Sequence, residues 1–184
     1  MYEDPALKIP AQWVRWALEV GGDPFKIEKT RRLALDLMDE HGVSDWKLRI
    51  GGARDQAGSV VYRKVRGVWD KQPGTLTLSG PLMSLWDEGQ ARDTILHEIA
   101  HTLCPDSGHN PIWQYHARSI GARPNRLWGE AGETRIEKPW KGTCPGGHKH
   151  RARRRKPRQQ WSCSACNPGE FDPRYAITWT REDT

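Results

Sequence analysis

No apolar run in this sequence approaches the roughly 20 residues that a bilayer-spanning helix needs, and only 36% of its residues are hydrophobic. Both facts read against a membrane protein. Signal-peptide features are missing too: Met1-Tyr2-Glu3-Asp4-Pro5 is acidic and lacks the basic-then-apolar layout of a secretory leader, so the expected location is the cytoplasm. Cysteine is scarce, four in 184 residues. Three of the four lie in one short stretch with metal-ligand spacing, and a reducing compartment disfavours disulfides, so no disulfide framework is expected. The fourth, Cys104, reads as a small buried hydrophobe. No internal repeat is evident. The chain is long enough for one domain with a real core and a smaller module beside it.

Charge is what separates the two. Residues 1–137 carry 18 Lys plus Arg against 19 Asp plus Glu, whereas residues 138–184 carry 11 against 4, so nets of −1 and +7 make up the overall +6. The boundary is placed at Lys138-Pro139, after the polar, glycine-containing stretch Gly129 to Glu137. The expected division is a domain over 1–137, a basic module over 138–170 and a C-terminal tail over 171–184.

In the first domain, Ala11 to Val20 and Pro24 to His41 have apolar residues at helical spacing, and Gly21-Gly22 and Gly42 end them. Trp46 to Ile50, Ser59 to Val65 and Thr75 to Leu78 alternate or are rich in branched residues, as strands are. Asp87 to Cys104 reads as a helix whose apolar stripe is Ile95, Leu96, Ile99, Ala100 and Leu103. Asp87 with Gln90 makes a variant capping box, and Pro105 stops the far end. Asn110-Pro111 then reads as the cap and first turn of another helix, running to Gly121. Strands beside such helices matter, because an exposed edge strand can hold an extended peptide by backbone hydrogen bonds.

His97-Glu98-Ile99-Ala100-His101 lies on the first of these two helices, off its apolar stripe. Histidines four apart project from one helical face, so both imidazoles can reach one metal ion, with the intervening Glu at the same cleft. His109 follows eight residues after His101, at the mouth of the next helix. A tight loop can fold it back over the first two, giving three protein ligands and leaving the fourth zinc position for water. This is a zinc hydrolase pattern, with Glu98 as the proton carrier. Two neighbours have open readings. Asp93, four before His97, is either a carboxylate that orients that imidazole or an ordinary surface acid early in a helix. His116, seven after His109, either supports the metal site or is a packed or surface histidine.

The stretch Thr94 to Leu103, followed by Gly108-His109-Asn110-Pro111-Ile112-Trp113, resembles the SprT-like metallopeptidases, related to the Spartan proteases that digest proteins crosslinked to DNA. The Leu76-Thr77-Leu78-Ser79 and Trp46 strands also sit where that pattern has them, so the resemblance spans residues 8–166. It implies an α+β, zincin-like metallopeptidase domain followed by a small zinc ribbon. It further implies zinc held by His97, His101 and His109, Glu98 as the catalytic residue, and DNA-bound proteins as substrates.

The ribbon corresponds to Cys144-Pro145-Gly146-Gly147-His148 and Cys163-Ser164-Ala165-Cys166. Paired knuckles of this kind close a tetrahedral zinc site and staple a segment too small for a core of its own. The sequence departs from the family here, with Gly147 where a second Cys belongs. His148 is the expected substitute ligand and His150 the runner-up. Between the knuckles run Arg151, Arg153, Arg154, Arg155, Lys156 and Arg158, flanked by Trp161. Such a run is either a solvated face or a phosphate-binding surface, and the net charge of the module favours the second. Trp161 or Trp140 can stack on an unpaired base or pack as ribbon aromatics. RNA or an acidic protein would satisfy the same charge. The resulting expectation is a zinc endopeptidase with one catalytic and one structural zinc, brought to DNA by its tail. A regulatory protease that cuts one specific repressor, and a nucleic-acid-binding adaptor whose peptidase domain is inactive, are the competing readings.

Overall fold

A computed structural model of the chain describes residues 8–62, 64–65, 68–69, 73–124 and 136–182, and the chain divides into two compact units between Ile136 and Glu137. Most of the stretch Gly129 to Glu137, read above as the approach to the boundary, lies outside the described residues. The first unit contains α1 (Ala11–Leu18), α2 (Pro24–Glu40), β1 (Lys47–Gly51), β2 (Gly58–Val61), β3 (Lys64–Val65), β4 (Val68–Trp69), β5 (Thr75–Ser79), α3 (Gly80–Met83), α4 (Glu88–Leu103) and α5 (Pro111–Ser119). The second contains β6 (Trp140–Thr143), β7 (Lys149–Arg153), a 3-10 turn (Pro173–Tyr175) and β8 (Thr178–Arg181). The protein is therefore α+β, with helices and small sheets. No helix among the described residues is long and apolar enough to cross a membrane.

Local chemistry accounts for the helix ends. Asp87 accepts from the Gln90 amide at 2.7 Å while the Gln90 side chain accepts from the Asp87 amide at 3.3 Å, the reciprocal pair expected at the start of α4. Asn110 caps α5 by accepting from the amides of Ile112 and Trp113, and Pro111 supplies the pre-set φ of the first turn. Helices α2 and α5 both stop at a left-handed glycine, Gly42 (φ 70°) and Gly121 (φ 80°). In each case the following amide reaches back to the third-last helical carbonyl, Val43 to Met38 and Ala122 to Ala117, both at 2.8 Å.

The main sheet has the order β1-β5-β2, with β1 parallel and β2 antiparallel to β5. Leu76 and Leu78 of β5 face Ile95, Leu96, Ile99 and Ala100 of α4 and Ile27, Leu37 and Met38 of α2 in one buried cluster. Helix α4 packs against α2 and α5 and also against β2. The apolar stripe of α4 thus turns inward, and its histidine face looks elsewhere. After β5, Ser79 caps a further turn, α3, accepting from the Leu82 amide at 3.2 Å. The run Ser59 to Val65 is divided between β2 and β3, and β3 pairs with β4 in a separate hairpin.

In the second unit the sheet order is β7-β6-β8, antiparallel throughout. Residues 171–184 were expected to be a tail. Within them β8 pairs with β6 from Thr143↔Thr178 to Trp140↔Arg181, and Ile177, Tyr175 and Trp179 pack beside the cysteines.

Candidate metal centre and a second cluster

His97 and His101 stand one turn apart on α4, and the loop after Cys104 turns back through Asp106 (φ 61°) and Gly108 (φ 52°) to deliver His109. The Nε2 atom of His109 lies 3.0 Å from that of His97 and 3.2 Å from that of His101. Bonds of about 2.0–2.1 Å to a tetrahedral zinc hold ligand nitrogens about 3.3 Å apart, so this spacing fits a shared ion. Burial, helped by His101 and His109, holds the His97 pKa down at about 3, and burial with His109 holds His101 at about 4. Both imidazoles are therefore neutral at physiological pH and keep a lone pair for a metal. Beneath all three rings lies Trp113, fully buried, with centroid distances of 4.7 Å to His97, 5.2 Å to His101 and 4.6 Å to His109.

Glu98 is only 6% exposed, and among the described residues it has no hydrogen bond and no ion pair. Burial pushes its carboxyl up to about 8. A divalent cation beside it pulls in the opposite direction, toward the carboxylate. A buried acid without a partner costs stability, and function is the usual reason one is kept. The side chain lies against Gly58 of β2. Near the C-terminal end of α4 the Tyr62 hydroxyl donates to the His101 carbonyl, and the Tyr62 ring meets Trp46 edge-on at 5.6 Å.

A family model, that of the SprT-like family, matches residues 27–133. The chain belongs to the SprT-like family. The match covers more than half of the chain and includes His97, Glu98, His101 and His109, and the family points to a metallopeptidase-like domain. No curated protein matches the chain significantly.

Of the residues left open in the sequence, neither Asp93 nor His116 joins this SprT-like centre. An Asp93 carboxylate oxygen accepts from the Arg123 amide at 3.0 Å, and the His116 ring meets Tyr115 edge-on at 5.5 Å. Gly58, Tyr62 and Trp113 escaped the sequence reading as site residues. Trp113 carried a signal, since it stands four after His109, in the first turn of the helix that opens beside it. Gly58 and Tyr62 carried none, because a strand and a helix about 40 residues apart meet only through the fold.

The second unit of the SprT-like chain brings together Cys144, His148, Cys163 and Cys166, whose ligand atoms all lie within 4.8 Å of one another. Cys144 and Cys166 sulfurs are 3.6 Å apart, and His148 Nδ1 is 3.2 Å from Cys166, 3.5 Å from Cys144 and 3.7 Å from Cys163. Bonds of about 2.3 Å to zinc hold sulfurs about 3.8 Å apart in a tetrahedron, so this set also fits. Gly147 (φ 79°) turns the first knuckle, its amide donating to the Cys144 carbonyl at 2.9 Å, and thereby swings His148 to the position that a cysteine would fill. His150 is not among the four. Burial works to raise the Cys144 pKa, but hydrogen bonds from the His150 and His148 side chains, the His148 main chain and Cys166 prevail and bring it to about 5.

Among the basic residues, Arg151, Arg155, Lys156 and Arg158 are exposed, while Arg153 and Arg154 are partly buried. The Arg153 guanidinium lies 4.9 Å from the centre of Trp161, and the Lys156 ammonium 5.6 Å from that of Trp140. Both tryptophans thus carry a cation on a ring face.

Proposed function

We propose that this SprT-like protein is a zinc-dependent endopeptidase of zincin-like fold that acts on DNA-bound or DNA-crosslinked proteins in the cytoplasm. The observation that carries the reading is the convergence of three imidazole Nε2 atoms next to a buried Glu98 that has no partner among the described residues. A structural histidine cluster would not need an unpaired acid in its midst.

His97, His101 and His109 would hold the ion through their Nε2 atoms. When bound, the zinc supplies Lewis-acid chemistry toward water and toward the scissile carbonyl. Glu98 accepts at a carboxylate oxygen the proton that the attacking water loses. It then gives that proton to the departing amine nitrogen, first as base and then as acid. The outer strand β2, which packs on α4, supports an extended substrate by main-chain pairing, so that an amide bond is presented to Glu98.

Cys144, His148, Cys163 and Cys166 would hold a second, structural zinc that stabilises a unit whose buried apolar side chains are few. Arg151, Arg153, Arg154, Arg155, Lys156 and Arg158 on that unit attract phosphate, and the tether brings the peptidase to proteins already on DNA. Incubating the purified protein with a DNA-binding protein, with and without single- or double-stranded DNA, tests the reading. Fragments that require DNA and vanish with a chelator are the expected result. Cleavage indifferent to the chelator, or no cleavage under any condition, contradicts it.

A further inference from the structure

The sheet register fixes which main-chain groups of β2 face outward. Gly58 pairs with Leu78, Ser59 with Thr77, Val60 with Leu76 and Val61 with Thr75. The Ser79 amide donates to the Ala57 carbonyl at 2.8 Å, which makes Ala57 and Ser79 a hydrogen-bonded pair of this antiparallel ladder. Hydrogen-bonded and non-hydrogen-bonded pairs alternate. Ser59 and Val61 therefore turn their N–H and C=O groups toward β5, whereas Gly58 and Val60 turn theirs to the outer side of the sheet.

The same parity fixes the faces. Leu76 and Leu78, opposite Val60 and Gly58, are fully buried on the side where α4 packs. Val60 puts its side chain into that core. Gly58 has none to put there, and Glu98 takes the space. A Cβ built on Gly58 would lie 2.5 Å from Glu98 Cγ, 2.6 Å from Oε1 and 2.7 Å from Cδ. Glycine is not needed here for its backbone, since the left-handed glycines of the chain are elsewhere. What Gly58 supplies is room.

We propose that Gly58 is the positioning residue that sets the scissile bond against Glu98: its outward main chain pairs with the substrate, and its missing side chain leaves the space from which the Glu98 carboxylate acts. The proposal rests on the metallopeptidase reading above. It makes Gly58 the one point of β2 where the substrate-holding edge and the proton carrier coincide. Any side chain there keeps the pairing groups and displaces the acid.

Gly58→Ala tests this, because it preserves the N–H and C=O and adds only the methyl. Glu98 is the flexible partner in the clash, so the variant is expected to fold, to keep its metal and to hold KM for an unfolded, fluorescently labelled protein near the wild-type value. Its kcat is expected to fall about a hundredfold or more, the range lost when a general base is misplaced. If Gly58→Ala fails to fold, Gly58→Ala with Glu98→Ala is the second variant. Recovery of the fold in the double variant supports the contact, since the clashing side chain has been removed, and continued misfolding overturns it. A folded Gly58→Ala with wild-type kcat also overturns it, as does a loss seen only in KM. Glu98→Gln measured in the same assay separates the two levels. Full activity there overturns the metallopeptidase reading and this inference together, while an inactive Glu98→Gln beside an unimpaired Gly58→Ala removes only the role of Gly58.

Discussion

Tyr62 shows how a single hydroxyl can brace a candidate metal site from outside it. Its bond to the His101 carbonyl ties the chain just after β2 to the helix turn that bears a ligand. Burial, with the nearby Cys104, Asp106 and Glu98 groups, raises its pKa well above the ordinary tyrosine value, so it remains a donor at any physiological pH. Tyr62→Phe keeps the ring against Trp46 and deletes only the bond. It should cost about 1 kcal/mol in a denaturant titration, the usual net worth of one hydrogen bond, and a stability equal to wild type would show the bond to be idle. The clustering of His97, His101 and His109 was legible in the sequence because helical spacing and a short loop bring them together locally, with Glu98 between the first two. It could not reveal Tyr62 or Gly58, whose roles depend on which strand lies over α4.

At the scale of elements, legibility followed length and capping. Although α5 ends at Ser119, two residues short of Gly121, its start and both ends of α4 were readable to within a residue from Asp87, Gln90, Asn110 and Pro111. Helix α3 was not, because four residues make one turn and show no period. Strand β8 was not, because four residues of which only Trp179 is partly covered look like any polar tail until β6 is beside them. The cap of α5 also has a functional side. Asn110 holds the first turn directly after His109, and the Gln114 side chain donates to the His109 carbonyl at 3.3 Å. Asn110→Ala should cost about 1 kcal/mol of stability. It should also weaken metal retention in competition with a chelator, since the third ligand loses its fixed neighbour. Unchanged metal affinity would mean that the loop alone holds His109.

For the molecule as a whole, the two units are expected to fail separately. Cys163 is fully buried in the second cluster, so Cys163→Ser should lower metal content from two per chain to one and unfold the second unit, leaving the first site loaded. A fully loaded wild type with one metal and an ordered second unit would contradict this. His148→Ala should mimic that loss, whereas His150→Ala should only loosen the site, because His150 bonds to the Cys144 sulfur from outside the cluster. DNA affinity should fall steeply with salt, and Arg151→Ala, Arg155→Ala and Arg158→Ala together should lower the slope of log K against log salt by up to about 3. These three are the exposed arginines of the run, whereas Arg153 packs on Trp161, where its loss would disturb the unit itself. An unchanged slope would make the run a solvated face. The most direct test of the whole account is to measure zinc content and proteolysis on the same samples of wild type and Glu98→Gln. The expected result is equal zinc in both and a loss of proteolysis of about a hundredfold to ten-thousandfold in the variant, because the substitution removes the proton carrier and no ligand. Proteolysis that survives in Glu98→Gln, or zinc that departs together with activity, would contradict the roles assigned to these residues.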